Sequence, residues 1–105
     1  MREAEECRDL GEIRQEVDRI DRALLALLAE RRRYGRAAVR FKASEADIHN
    51  TAYLPGFLER RRTWGQEVGL APDHVEALFE TIAGASIAEQ LRLWREARPP
   101  EAGRD

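Results

Sequence analysis

Residues 13–41 read IRQEVDRIDRALLALLAERRRYGRAAVRF, and the spacing of their apolar members decides the fold. Ile13, Val17, Ile20, Leu24 and Leu27 are followed in phase by Arg31, Tyr34, Ala38 and Phe41, in alternating steps of four and three. That alternation is the a/d seam of a long helix lying lengthwise against another helix. No proline interrupts it, and Gly35 is its only weak helix former. A helix of roughly 30 residues at ~1.5 Å per residue is a rod of about 45 Å. A chain of 105 residues has little left to cover such a rod, so the seam favours pairing with a second copy. Just upstream, Asp9 followed three residues later by Glu12 has the form of an N-terminal capping box. Residues 1–8 are polar and are expected to be flexible.

Beyond the seam, residues 42–51 (KASEADIHNT) lose the pattern and read as a loop. Pro55 and Gly56 suit the first turn of a second helix running to about Val68, with Gly69 as its C-cap. Pro72 and Asp73 open a third helix carrying Val75, Leu78, Phe79, Ile82, Ile87, Leu91 and Trp94, and Pro99 and Pro100 stop it. There is no strand pattern and no internal repeat. The expectation is an all-α, three-helix chain, long–short–medium, forming one domain over 1–105 with a flexible tail at 99–105.

Composition agrees. Charged residues are 36%, hydrophobic ones 43% and aromatics 7%, which points to an elongated helical chain or an obligate oligomer. Lys and Arg number 18 against 20 Asp and Glu, so no global field attracts nucleic acid or an anionic membrane. A lone Cys7 excludes an internal disulfide framework, and His49 and His74 have no metal-ligand spacing. No apolar run approaches the ~20 residues of a membrane span, and MREAEECRDL lacks the apolar region of a signal peptide. The expected location is the cytoplasm. The runs Glu30–Arg33 and Glu59–Arg62 read as solvated faces with intrahelical ion pairs rather than a phosphate-binding stripe.

Several residues do not fit a plain bundle. Arg31 holds a seam position, where it either snorkels to the surface or binds an anion, a guanidinium fork matching two carboxylate oxygens. Lys42 lies 11 residues on and shares the face of Arg31 if the helix continues, about 16 Å away; otherwise it is a solvated lysine at a helix end. Arg14 is about 25 Å from Arg31 along the axis. It is a surface charge, or it meets Arg31 of an antiparallel second copy. Gln90 falls on a stripe with Phe79, Ala83, Ser86, Ile87 and Trp94. It is an ordinary exposed glutamine, or an amide that donates to an ether or hydroxyl oxygen. The small residues Ala83-Gly84-Ala85-Ser86 allow close helix approach or leave a hollow for a ligand.

The order Ile13-Arg14, Asp18-Arg19-Ile20-Asp21, the seam-breaking Arg31, the phrase Arg40-Phe41-Lys42-Ala43-Ser44-Glu45-Ala46, and Ile87-Ala88-Glu89-Gln90 together resemble the all-helical chorismate mutase class, most of all its isochorismate-pyruvate lyase branch. The likeness covers about residues 7–98. It implies an intertwined homodimer of three-helix chains with two equivalent sites, acting on a small dicarboxylate by a pericyclic reaction without cofactor or metal. The lyase takes isochorismate to salicylate and pyruvate; the mutase takes chorismate to prephenate. The resemblance makes Arg14, contributed in trans, and Arg31 the carboxylate binders. It sets Lys42 on a mobile loop, and Lys42 and Gln90 at the breaking ether bond.

The chain also departs from that pattern. The arginine expected at the start of the second helix is absent, and Tyr53 stands nearest its place. The preceding loop carries Asp47, His49 and Asn50 where an apolar, proline-containing stretch is expected, which makes Asn50 and Tyr53 secondary site candidates. Ser86 is similar to the mutase branch, and Gly84 and Ala85 enlarge the same wall. A mutase, including one acting on an amino-substituted chorismate, is therefore the alternative activity, and a non-catalytic helical dimer is the alternative outside enzymology.

Overall fold

A computed structural model describes residues 2–50 and 55–98. The elements are α1 (Leu10–Ala38), α2 (Glu45–His49), α3 (Phe57–Glu67) and α4 (Pro72–Ala97), with 3-10 turns at Ala4–Glu6 and Val39–Phe41. Among the described residues there is no strand. The all-α architecture and the three principal helices are as expected. The loop expected over 42–51 differs, because it contains the five-residue α2. The chain divides into two compact units, one up to Tyr34 and one from Gly35.

The first unit is the 3-10 turn and most of α1. Asp9 caps α1, its Oδ1 accepting from the Glu12 N–H at 2.8 Å. The Glu12 carboxylate does not close the expected box on Asp9; it accepts from the Arg8 backbone N–H at 2.8 Å and from the Arg8 guanidinium at 3.0 Å. These bonds hold the Glu12 carboxyl below its ordinary range, the Arg8 backbone bond first and its side chain second. Arg2 reaches back to α1, donating to the Glu12 carbonyl at 3.1 Å and the Gln15 side-chain oxygen at 2.7 Å. No residue of α1 is buried. Val17, Ile20, Leu24 and Leu27, the heart of the seam, are 46–61% exposed in the single chain.

The second unit is built on α4, which packs against α2, α3 and the Val39–Phe41 turn. Its core is Val39, Ile48, Phe57, Val75 and Ala83. Helix α3 begins two residues after Pro55, the residue expected in its first turn: Gly56 is its left-handed N-cap (φ 81°), and Phe57 is its first residue. At the other end Gly69 (φ 82°) closes a Schellman motif. There the Leu70 N–H donates to the Gly65 carbonyl at 2.9 Å and the Gly69 N–H to the Gln66 carbonyl at 3.1 Å. Gly65 is buried where α3 meets α4, and a Cβ there would lie 2.5 Å from Val75 Cγ2. Pro72 opens α4 at its first position, where a missing N–H costs nothing.

The Glu59–Arg62 run is a solvated face only in part: Glu59 and Arg60 are exposed, whereas Arg61 and Arg62 are half-buried. Arg61 is half-buried with its guanidinium 3.8 Å from the Phe57 ring centroid and 5.2 Å from those of Trp64 and Phe79. Arg62 pairs between helices rather than within one, with Asp73 at 2.8 Å and Glu76 at 3.7 Å. Arginine runs read as surface because charge is usually solvated; here aromatic side chains at helical spacing give one guanidinium a stacked place instead. Among the described residues no helix is long and apolar enough to cross a membrane.

Candidate active site

The candidate site residues fall in both units. Arg14 and Arg31 belong to the first: Arg14 is exposed and Arg31, on the seam, is half-buried. Neither has a hydrogen-bond or ion-pair partner within its own unit among the described residues. Lys42, Ser86, Gln90 and Asn50 belong to the second unit. Tyr53 lies outside the described residues, as do the expected helix stop at Pro99-Pro100 and the tail.

Lys42 stands where helix gives way to extended backbone. α1 ends at Ala38, the chain tightens into the Val39–Phe41 turn, and Lys42 follows it at φ −86°, ψ 137°, its N–H donating to the Val39 carbonyl at 3.1 Å. The helical rotation that would place Lys42 on the face of Arg31 therefore does not apply, because the α-helix does not continue. Val39 is buried and seats the turn on α4, and the Lys42 side chain is half-buried.

The residues after Lys42 form a small ordered structure. Ser44 caps α2, its Oγ accepting from the Asp47 N–H at 3.2 Å, and the Asp47 carboxylate accepts from the Ala43 N–H at 2.9 Å. This reciprocal pair is a capping box shifted by one residue. Ile48 is 0% exposed and anchors the short helix in the core. Glu45 forms an ion pair with Arg95 of α4. Asn50 closes α2 as its C-cap and is exposed.

Gln90 is not an exposed helical glutamine. It is 4% exposed, and its Nε2 donates to the Gly35 carbonyl at 2.8 Å. Its Oε1 is buried and has no hydrogen-bond partner among the described residues. A buried acceptor without a donor is costly, so it marks a place where a ligand or water completes the bonding. Ser86 lies one turn earlier on α4. A Cβ on Gly35 would stand 3.1 Å from Ser86 Oγ and 3.4 Å from Gln90 Nε2. The absence of a side chain at Gly35 thus brings its backbone close to both candidates. Close approach is the use of Ala83 and Ser86, whereas Gly84 and Ala85 are exposed and a Cβ on Gly84 would meet nothing within 4 Å. Arg36 and Glu89, 3.7 Å apart, add a second tie between the end of α1 and α4.

The structure so brings Gln90 and Ser86 together around Gly35, and sets Lys42 on a turn seated on the same helix. The sequence held two signals for this arrangement. Gly35 is a glycine inside an otherwise strong helix, and a Ser-x-x-Asp spacing lies at residues 44–47. The family model for chorismate mutase type II matches residues 13–91. The chain belongs to the chorismate mutase type II family. It is also 42% identical over 98 residues to an isochorismate pyruvate lyase of Pseudomonas aeruginosa, a match covering 93% of this chain and 97% of that protein.

Proposed function

We propose that this member of the family is an isochorismate-pyruvate lyase. The near full-length 42% identity to a protein of that name carries the reading. The Arg40–Ala46 phrase, with Lys42 at its centre, supports it. In the reaction the ring carbon–ether oxygen bond breaks, a ring hydrogen moves to the enolpyruvyl methylene, and the ether oxygen becomes the ketone of pyruvate while the ring aromatises to salicylate. No external acid, base, nucleophile or cofactor is required by that balance. The work left to the protein is to fold a flexible dicarboxylate into the reactive conformer, which is orientation catalysis.

In this reading Arg31 and Arg14 bind the two carboxylates, and Arg14 comes from the second subunit of an intertwined homodimer. The exposed Val17–Leu27 seam supports that assembly: four aliphatic side chains in register are left for another helix to cover. Lys42 places a cation where negative charge builds on the ether oxygen, stabilising the transition state more than the ground state. Gln90 and Ser86 supply polar contacts from α4, and Asn50 and Tyr53 lie in the segment flanking Lys42.

Chorismate mutase activity is the second reading, including on an amino-substituted chorismate. Ser86, which is similar to the mutase branch, favours it, and Gly84 and Ala85 add small, exposed residues beside it. The deciding experiment incubates the purified protein separately with isochorismate and with chorismate and follows salicylate, pyruvate and prephenate. Salicylate and pyruvate in equal amounts from isochorismate are expected. Prephenate from chorismate alone transfers the assignment to the mutase. Turnover of neither leaves a non-catalytic helical dimer.

A further inference from the structure

The Glu45–Arg95 ion pair lies outside the residues assigned to substrate. Glu45 is three residues after Lys42, and only Ala43 and Ser44 separate them. Those two residues are themselves fixed, since the Ala43 N–H is held by the Asp47 carboxylate and Ser44 Oγ holds the Asp47 N–H. A force applied at Glu45 is therefore passed to Lys42 through a braced link and not through slack chain. Arg95 supplies that force from α4, one and a half turns beyond Gln90. At ~1.5 Å per residue the two side chains leave α4 about 7.5 Å apart along its axis. The same helix thus holds the buried glutamine of the site and the grip on the lysine segment.

The rest of the segment explains why a grip has an effect. On one side of Lys42 the Val39–Phe41 turn is seated by buried Val39, and on the other α2 is seated by Ile48. Between these anchors, Ala43, Ser44 and Asp47 bond to one another and Glu45 bonds to Arg95. The Glu45–Arg95 bond reaches from this stretch to α4 through side chains of opposite charge. Half-exposed ion pairs contribute little to global stability. They can still shift an equilibrium between two placements of a short segment, because a shift in that population changes apparent activity in proportion.

We propose that Arg95 is a positioning residue for Lys42: through Glu45 it latches the 42–49 segment onto α4 and holds Lys42 in its working place. This rests on the assignment of Lys42 to the reaction, so the test has one arm that does not use turnover. Arg95→Met keeps the aliphatic stem and removes the charge, and Glu45→Gln removes the partner. In the active enzyme each is expected to lower kcat/KM about five- to tenfold, in keeping with a competent population reduced to a fraction, with the melting temperature within about 2 °C of the parent, as for an exposed pair. The exchanged pair Glu45→Arg with Arg95→Glu is expected to recover most of the loss.

The second arm measures amide hydrogen exchange by NMR. In Arg95→Met the Ala43 and Asp47 amides are expected to exchange faster, while those of α3 and the first three turns of α4 keep their rates. Parent-like kcat/KM in Arg95→Met overturns the latch. So does unchanged exchange at Ala43 and Asp47, or an exchanged pair no better than either single variant. If exchange rises throughout α4 and the melting temperature drops, Arg95 is a stability residue and the proposal is also overturned. Should the parent turn over neither isochorismate nor chorismate, the activity assignment fails on that result, and the exchange arm still decides the latch.

Discussion

Two regions of this chain use the same residue types in opposite ways. In the first unit, up to Tyr34, leucines and isoleucines stand at helical spacing and remain open, Leu24 and Leu27 at 53% and 61% exposure. In the second, Ile48, Phe57 and Val75 are buried by three helices and a turn, and even a glutamine is closed in beside them. The second unit has a core of its own. The first has only a seam, whose aliphatic side chains are exposed in the single chain. The lesson is that apolar pattern and apolar burial separate within one chain, and the proposed homodimer is the reading that reunites them. Arg2, Arg8 and Arg19 of the open unit and Arg61, Arg62 and Arg95 of the packed one have partners, whereas Arg14 and Arg31 have none within the open unit among the described residues.

The hardest test of that contrast is on the seam. Leu24→Lys with Leu27→Lys would cost each site roughly 0.5 kcal/mol or less if the leucines stay exposed. If a second copy covers them, each loses about 1.5–3 kcal/mol of burial per chain. The expected outcome is the second: a particle of one-chain mass in sedimentation at micromolar concentration, and turnover at background, since Arg14 then has no partner site. A variant that sediments like the parent would break the comparison. Next in size is Lys42→Ala in the packed unit. It is expected to keep the parent's mass and melting curve and to lose ~10²–10³ in kcat, the range for removing one group aimed at developing charge. Near-normal turnover would remove Lys42 from the chemistry.

The difference between the units also decides what could be read in advance. The long helix was legible because its apolar period holds over four heptads without a proline, and the helix ends at Gly69 and Pro72 were legible because each residue has a backbone reason to be there. Helix α2 escaped because five residues are too few for a period, although Ser44 and Asp47 already had capping spacing. Gln90 looked exposed because a polar residue on a helix usually is; what buries it is Gly35, 55 residues away in sequence. Arg61 was lost in a run of arginines, although Phe57 and Trp64 stand at i−4 and i+3 on the same helix; only the Phe79 ring comes from another element. For Arg14 and Arg31 the residues alone left a surface charge and an anion binder both open, and the family resemblance is what assigned them to the two carboxylates.

Gly65 and Gly84 sharpen the contrast within the packed unit. At Gly65 a methyl would meet Val75 at 2.5 Å, so Gly65→Ala must part α3 from α4. Such overpacking costs about 1–3 kcal/mol, against a gain of about 1 kcal/mol in helix propensity. The expected net is a melting temperature lowered by roughly 4–8 °C per kcal/mol lost. At Gly84 a methyl meets nothing within 4 Å in the single chain, so Gly84→Ala should raise the melting temperature. Calorimetry of the two variants side by side reads both signs. A stabilised Gly65→Ala would mean that the α3–α4 contact yields more easily than its geometry implies.

The smallest effect expected belongs to the open unit. Glu12 accepts from the Arg8 backbone and side chain, which holds its carboxyl below the ordinary carboxylate range. Above that ordinary range the carboxylate is charged in both folded and unfolded chains, and its bonds to Arg8 contribute in full. As pH falls through the range, the unfolded chain takes up its proton first, so the contribution shrinks; below the lowered folded value it is gone. Arg8 is 86% exposed at its side chain, so the effect is local and screened by salt. It should appear as faster exchange of the Arg8 amide on acidification from pH 5 to pH 3, after correction for intrinsic rates, with α3 and α4 amides unaffected. Glu12→Gln should flatten that dependence while leaving the Asp9 cap in place. If the parent and Glu12→Gln respond identically to acid, then Glu12 does not anchor the start of α1, and the Asp9 cap alone holds the end of the exposed rod.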